Sequence, residues 1–156
     1  MSQTSQTSQK SHLGYKIAGN CLVVLRISKT AVTNESRSVS HKKTAKYRCN
    51  EARVESITHL KTGKHLQKVS SNHDHHFKYR IGLTVKVYNY DEDIDNICGS
   101  GIHYFITPVG AYVYWRKEYG MKDDGTIGNY DMHNQAMKDS KRTFQKRLIR
   151  LLTKIK

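Results

Sequence analysis

The chain predicts an α+β fold: a small β-rich domain over residues 13–132, one short helix after the strand Gly101–Thr107, and a basic amphipathic helix over 133–156. Three observations predict it. "CLVVLRI", Cys21 to Ile27, is a short apolar run rich in β-branched residues, the mark of a buried strand. "FKYRIGLTVKVYNY" alternates on both sides of Gly82. Phe77, Tyr79 and Ile81 come before it and Leu83, Val85 and Val87 after it, as on a half-buried strand. The last segment has no proline or glycine, and Met137, Phe144, Leu148, Leu151, Leu152 and Ile155 recur at helical spacing.

The remaining elements follow in chain order. Residues 1–12, with the direct repeat "SQTSQTSQ", offer almost nothing to bury and read as a disordered tail, with order beginning near Leu13 to Tyr15. Ser28 to Lys46 is polar and basic and reads as a long loop, a length usually tied to function or disorder. "KYRCNEARVESI" alternates loosely and slips near Glu51, which predicts a strand with a bulge or irregular middle. Thr62-Gly63 marks a tight turn, "SSNHDHHF" a polar loop and "DEDIDN" an acidic turn. In "NICGSGIHYFITPVGAYVYW", Gly99 and Gly101 allow a turn that other residues resist, and a strand follows. Thr107 then caps a helix with Pro108 in its first turn, ending at Gly120.

Charge bounds the partners. The chain has 156 residues, with 27 Lys and Arg against 13 Asp and Glu, a formal charge of +14. A polyanion is the default partner for such a surface: nucleic acid, an anionic membrane, or an acidic protein. Residues 138–156 hold eight basic side chains and one acidic, half of that net charge. Lys141, Arg142, Lys146, Arg147, Arg150 and Lys154 are the contacts predicted there, with Arg37, Lys42 and Lys43 in the basic loop. Three cysteines at wide spacings form no disulfide framework. No stretch reads as a secretory signal or a membrane span, so the chain is expected to stay unsecreted in a reducing compartment.

Candidate chemistry is sparse. "NHDHH" gathers His73, His75 and His76, but no ligand set of diagnostic spacing accompanies them, so no metal and no cofactor are expected. Asp91, Asp93 and Asp95 have calcium-loop spacing, but the glycine of the sharp turn and the distal glutamate are missing. Cys98 and His103 straddle the glycine turn without a catalytic motif around them, and His103 is the one candidate functional residue of that stretch.

The motif order carries a resemblance. Lys46, Arg48, Cys49, Ala52 and Val54, then Tyr79, Gly82 and Val85, then C-x-x-G-I-H-[FY]-F-I-T from Cys98 to Thr107 resemble an uncharacterised domain of large DNA viruses, often N-terminal to pentapeptide repeats. The likeness covers residues 15–115. It implies a virion component, minor capsid or genome-associated, located in the virion or the infected cell's cytoplasm. A second, shorter likeness links "GIHYF" and the following Ala-containing helix to ADP-ribosyltransferase and RNA phosphotransferase folds. It implies a nucleotide-dependent transferase with His103 in the site and Arg48 or Arg80 on phosphate.

Together these readings predict a non-enzymatic basic binding protein that contacts nucleic acid or an acidic viral protein electrostatically. The transferase is the alternative.

Overall fold

A computed structural model of the chain describes residues 10–116, 122–126, 135, 137–139, 141–143 and 146. It is mostly strand with few helices. The first strand, β1 (His12–Ala18), pairs antiparallel with β2 (Cys21–Ile27). The link is two residues, Gly19 and Asn20, both at positive φ (54° and 60°). That backbone twist suits a tight hairpin, and glycine and asparagine tolerate it best. Along β2, Cys21, Val23, Leu25 and Ile27 are buried while Leu22, Val24 and Arg26 are half-buried, so the apolar run alternates after all.

The predicted slip near Glu51 is a break at Asn50. It separates β3 (Tyr47–Cys49) from β4 (Glu51–His59), and β4 lies against β2 with a register shift at Val24/Leu25. Two short strands, β5 (Lys68–Ser70) and β6 (Lys78–Arg80), form a hairpin around the histidine loop. Gly82, at φ 79°, then turns the chain. What alternates as one strand in sequence is therefore two: β6 pairs with β5, and β7 (Thr84–Lys86) pairs with β4. The side chain of Leu83 falls at this corner and is 56% exposed, against the alternation.

The main sheet has the order β1-β2-β4-β7. A second ribbon joins β3 to β8 (Ile102–Tyr104). An antiparallel bridge ties the two, with Tyr15 and Phe105 exchanging both backbone hydrogen bonds at 2.8 Å. Because β3 runs on into β4, the two sheets curl around one core of Val23, Leu25, Ile27, Tyr47, Val54, Ile57, Tyr79, Ile102 and Tyr104.

Helix α1 (Pro108–Arg116) starts as predicted. Thr107 Oγ1 accepts from Gly110 N (3.0 Å) and donates to the carbonyl of Lys43 (2.7 Å), so one hydroxyl caps the helix and moors it to the 3-10 turn Lys42–Thr44. Its inner face, with Ala111 and Tyr112, closes a second small cluster with Ile17, Leu60 and Phe105. The predicted end at Gly120 lies outside the described residues. So do residues 1–9 of the tail and most of 133–156; residues 135, 137–139, 141–143 and 146 of that segment have helical backbone.

Candidate anion-binding cleft

Between β1, β3, β8, the β5–β6 loop and α1 lies a cleft with two lobes. The smaller lobe, about 370 Å³, is floored by Ile17, Phe105, Ala111, Tyr114 and Trp115. The larger, about 590 Å³, is walled by Phe77, Val87, Asn89 and the segment 98–102. Both lobes are lined by Lys16, Lys46, Ser71, His73, His103 and Tyr114, which form the waist between them. Asp74, in the larger lobe, is the one carboxylate among these lining residues.

Local structure dictates this gathering. Lys46 directly precedes β3, and its main chain is held at both ends: its N–H donates to Gly125 O (3.3 Å) and its carbonyl accepts from Arg37 (3.0 Å). The side chain is only 5% exposed. Its ammonium donates to Tyr114 Oη at 3.1 Å, lies 4.9 Å from that ring's centre, and sits 3.9 Å from Cys98 Sγ. Lys16, on β1, donates to Tyr79 Oη at 2.6 Å and lies 4.7 Å from that ring's centre. Burial raises the Tyr79 phenol above its ordinary value, so this partner is a neutral oxygen and not a counter-ion.

Neither lysine has a carboxylate partner among the described residues. Burial, and to a lesser degree neighbouring Lys46, lowers Lys16 to about 8. His103 stands on β8 opposite Arg48, and its Nε2 is buried with no hydrogen-bond partner among the described residues. Burial first, then Lys46, Lys16 and Arg48, lower it to about 3, so the imidazole is neutral near pH 7. Lys46 is buried and Lys16 half-buried, and holding both ammonium groups without a counter-ion in one cleft costs folding stability. An anion in the waist would answer all three groups at once.

None of the described polyanion contacts predicted from the sequence lines this cleft. Arg37 departs from the surface role expected of it. It is 5% exposed, and its guanidinium donates to the carbonyls of Lys46 and Asp124 at 3.0 Å, because the basic loop folds inward over Tyr47. Lys42, Lys43, Lys141, Arg142 and Lys146 are exposed. Arg147, Arg150 and Lys154 lie outside the described residues.

Arg48 does not face the cleft as a phosphate ligand. It is fully buried, and its guanidinium donates to the carbonyls of Asp91 (2.6 Å), Asp93, Asn96 (2.8 Å) and Ser100 (3.3 Å). The acidic turn with calcium-loop spacing is thus wrapped around a guanidinium. Its carboxylates brace the turn, Asp91 accepting from Asp93 N and Asn96 Nδ2. Gly99 and Gly101 are needed here for space, not for unusual φ. A Cβ on Gly101 would fall 2.9 Å from Arg48 Cβ, and one on Gly99 2.9 Å from Asp91 Cβ. Arg80 is exposed on β6. No cluster of three or more His, Cys, Asp or Glu able to hold a metal occurs among the described residues, and no described helix is long and apolar enough to cross a membrane.

Sequence reasoning singles out His103 but passes over Lys16 as a cleft residue and holds Lys46 only as part of a motif. A lysine in or beside a strand reads as solvent-facing, and only the fold shows that these two turn inward.

The fold and cleft define a small β-rich α+β protein with a cationic, partly aromatic pocket. The chain belongs to DUF5758, a family of unknown function that matches residues 2–111. That span agrees with the uncharacterised domain expected from the motif order, and it contains Lys16, Lys46, His73 and His103. No curated protein and no solved structure matches the chain.

Proposed function

We propose that this protein is an anion-binding protein whose site is the waist of the cleft. The observation that carries the reading is Lys46, a lysine 5% exposed, met by a tyrosine hydroxyl instead of a carboxylate, with Lys16 and the buried, unsatisfied Nε2 of His103 beside it. A buried ammonium group is ordinarily paired, and buried Lys46 with half-buried Lys16 lining one cavity without a carboxylate marks a place where the partner comes from outside.

Thermal unfolding in phosphate against chloride at equal ionic strength tests it. A ligand present at a hundred times its dissociation constant adds about 2.7 kcal/mol to the folded state. Phosphate is expected to raise the midpoint of the unsubstituted protein, and Lys46→Gln to remove most of that rise. An equal rise in both proteins would reduce the effect to general screening of the +14 charge.

A second reading rests on the net charge and the exposed Lys42, Lys43, Lys141, Arg142 and Lys146. It is electrostatic, sequence-blind contact with a nucleic acid or an acidic protein through the basic C-terminal segment, whose amphipathic pattern supports one continuous helix. The likeness of the motif order to a domain of large DNA viruses supports a virion setting, with the partner a genome or a capsid component. Duplex DNA binding is expected to fall steeply between about 50 and 200 mM salt. Replacing Lys141, Arg142 and Lys146 together by Glu should weaken it by at least about tenfold. Binding indifferent to both changes would remove this reading and leave the cleft's untouched.

A further inference from the structure

We infer that the occupant of the cleft is a phosphate monoester of a flat, ring-bearing compound, with the phosphate at the waist and the ring in the smaller lobe. The inference rests on the anion reading above and goes further in naming the ligand. Three features of the cleft select this chemistry.

The first is charge. Two ammonium groups, Lys16 and Lys46, face one space, and each leans on a tyrosine hydroxyl instead of a carboxylate. A carboxylate would neutralise one of them. A phosphate monoester carries about −1.5 to −2 near neutral pH and matches both.

The second is hydrogen-bond capacity. His103 Nε2 is buried with no partner among the described residues, and Ser71 and His73 line the same lobe. A tetrahedral group with three terminal oxygens can meet the ammonium groups, the neutral imidazole and these lining groups together. A planar carboxylate has two oxygens for the same set.

The third is the adjoining surface. The smaller lobe is apolar and aromatic, built from Ile17, Phe105, Ala111, Tyr114 and Trp115. The Phe105 and Tyr114 rings lie 5.3 Å apart and the Tyr112 and Trp115 rings 5.8 Å apart, both tilted. Tyr114 and Trp115 remain half-buried, so part of each ring is open. Ala111 is the small residue among them, and it leaves the room. A bare inorganic ion would use the waist and leave this wall in water. A ring attached to the phosphate would cover it, with the area term of the hydrophobic effect added to the electrostatic one.

The full chain carries its own reporter, because Trp115 is the single tryptophan and lines the ring lobe. The experiment is calorimetric titration with phenyl phosphate, inorganic phosphate, glycerol phosphate and phenol, each followed by tryptophan emission. Phenyl phosphate is expected to bind at least about tenfold more tightly than inorganic or glycerol phosphate and to shift the emission. Inorganic phosphate should compete with it while leaving the emission unchanged. Lys46→Gln should weaken all three phosphates by about tenfold or more, with its fold checked by circular dichroism.

Equal affinity for the three phosphates with silent tryptophan overturns the inference and leaves the anion reading standing. Phenol binding as tightly as phenyl phosphate overturns it as well, reducing the lobe to an apolar pocket. Binding of no phosphate overturns both readings. If Lys46→Gln fails to fold, His103→Gln serves in its place and should lower phosphate affinity several-fold; unchanged affinity there would count against the waist as the phosphate seat.

Discussion

Arg48→Met is expected to remove about 3–5 kcal/mol of folding stability, and Arg48→Lys most of that amount. The guanidinium is fully buried and feeds four carbonyls, of Asp91, Asp93, Asn96 and Ser100. Each charge-assisted hydrogen bond of this kind contributes about 1.5–3 kcal/mol, offset in part by water that reaches the exposed loop once the arginine is gone. Methionine matches the stem and takes the donor from Asp91 O and Asn96 O, while Asp93 O keeps Asn96 N (3.2 Å) and Ser100 O keeps Asp91 N (3.0 Å). Lysine keeps the charge but concentrates it at one point, and it cannot copy a planar fork that reaches four carbonyls at once. The effect should reach beyond one side chain, because Arg48 N also donates to Asn34 Oδ1 (2.8 Å) and its ring neighbour Tyr90 donates to Arg48 O (3.3 Å). Urea unfolding gives the stability, and limited proteolysis within residues 91–100 gives the state of the loop. A loss under about 1 kcal/mol, with the loop still protected, would mean that the turn is held by its own carboxylates.

His103 should make the fold sensitive to mild acid. Its folded value is lowered to about 3, mainly by burial and then by Lys46, Lys16, Arg48 and His73, from an ordinary 6.5. Between those two values the unfolded chain takes up a proton that the folded chain refuses. Stability from this group is therefore complete above about pH 6.5 and falls as pH drops toward about 3, by up to about 4 kcal/mol. His103→Gln, which fills a similar space and does not titrate, should flatten that part of the profile. Asp91 and Asp124 are also held below the usual carboxylate range, chiefly by hydrogen bonds that oppose desolvation at Asp124. Both proteins share that acid loss, so the difference between the two profiles isolates the imidazole. Superimposable profiles between neutral pH and about pH 4 would show that the ring protonates freely inside the fold.

Much of the fold was legible because local chemistry agreed with global structure. The β-branched run at 21–27, the slip near Glu51 and the Thr107-Pro108 helix start all needed only neighbours to read. The β1–β2 hairpin was equally local, since Gly19-Asn20 is a strong turn signal, but Lys16 and the polar start of β1 hid the strand before it. Leu83 misled because alternation speaks for a straight strand, and Gly82 bends this one. The long-range features were not legible. Arg37 and Arg48 look like surface charge in sequence, and each is consumed by main-chain carbonyls contributed by distant segments. The waist of the cleft was illegible for the same reason: a lysine's partner, or its lack of one, is a property of the whole fold.

The waist draws its basic and imidazole side chains from four stretches of one chain, at Lys16, Lys46, His73 and His103, each roughly thirty residues from the next. Such distant segments meet late in folding, after the local hairpins. The pocket is therefore a property of the completed molecule, and no fragment ending before β8 can contain it. A ligand seated there grips only the completed chain, so its binding energy would count in full against global unfolding and would do nothing for a half-made chain. Occupancy would then act as proof of completion, reporting that both ends of the curled sheet had met.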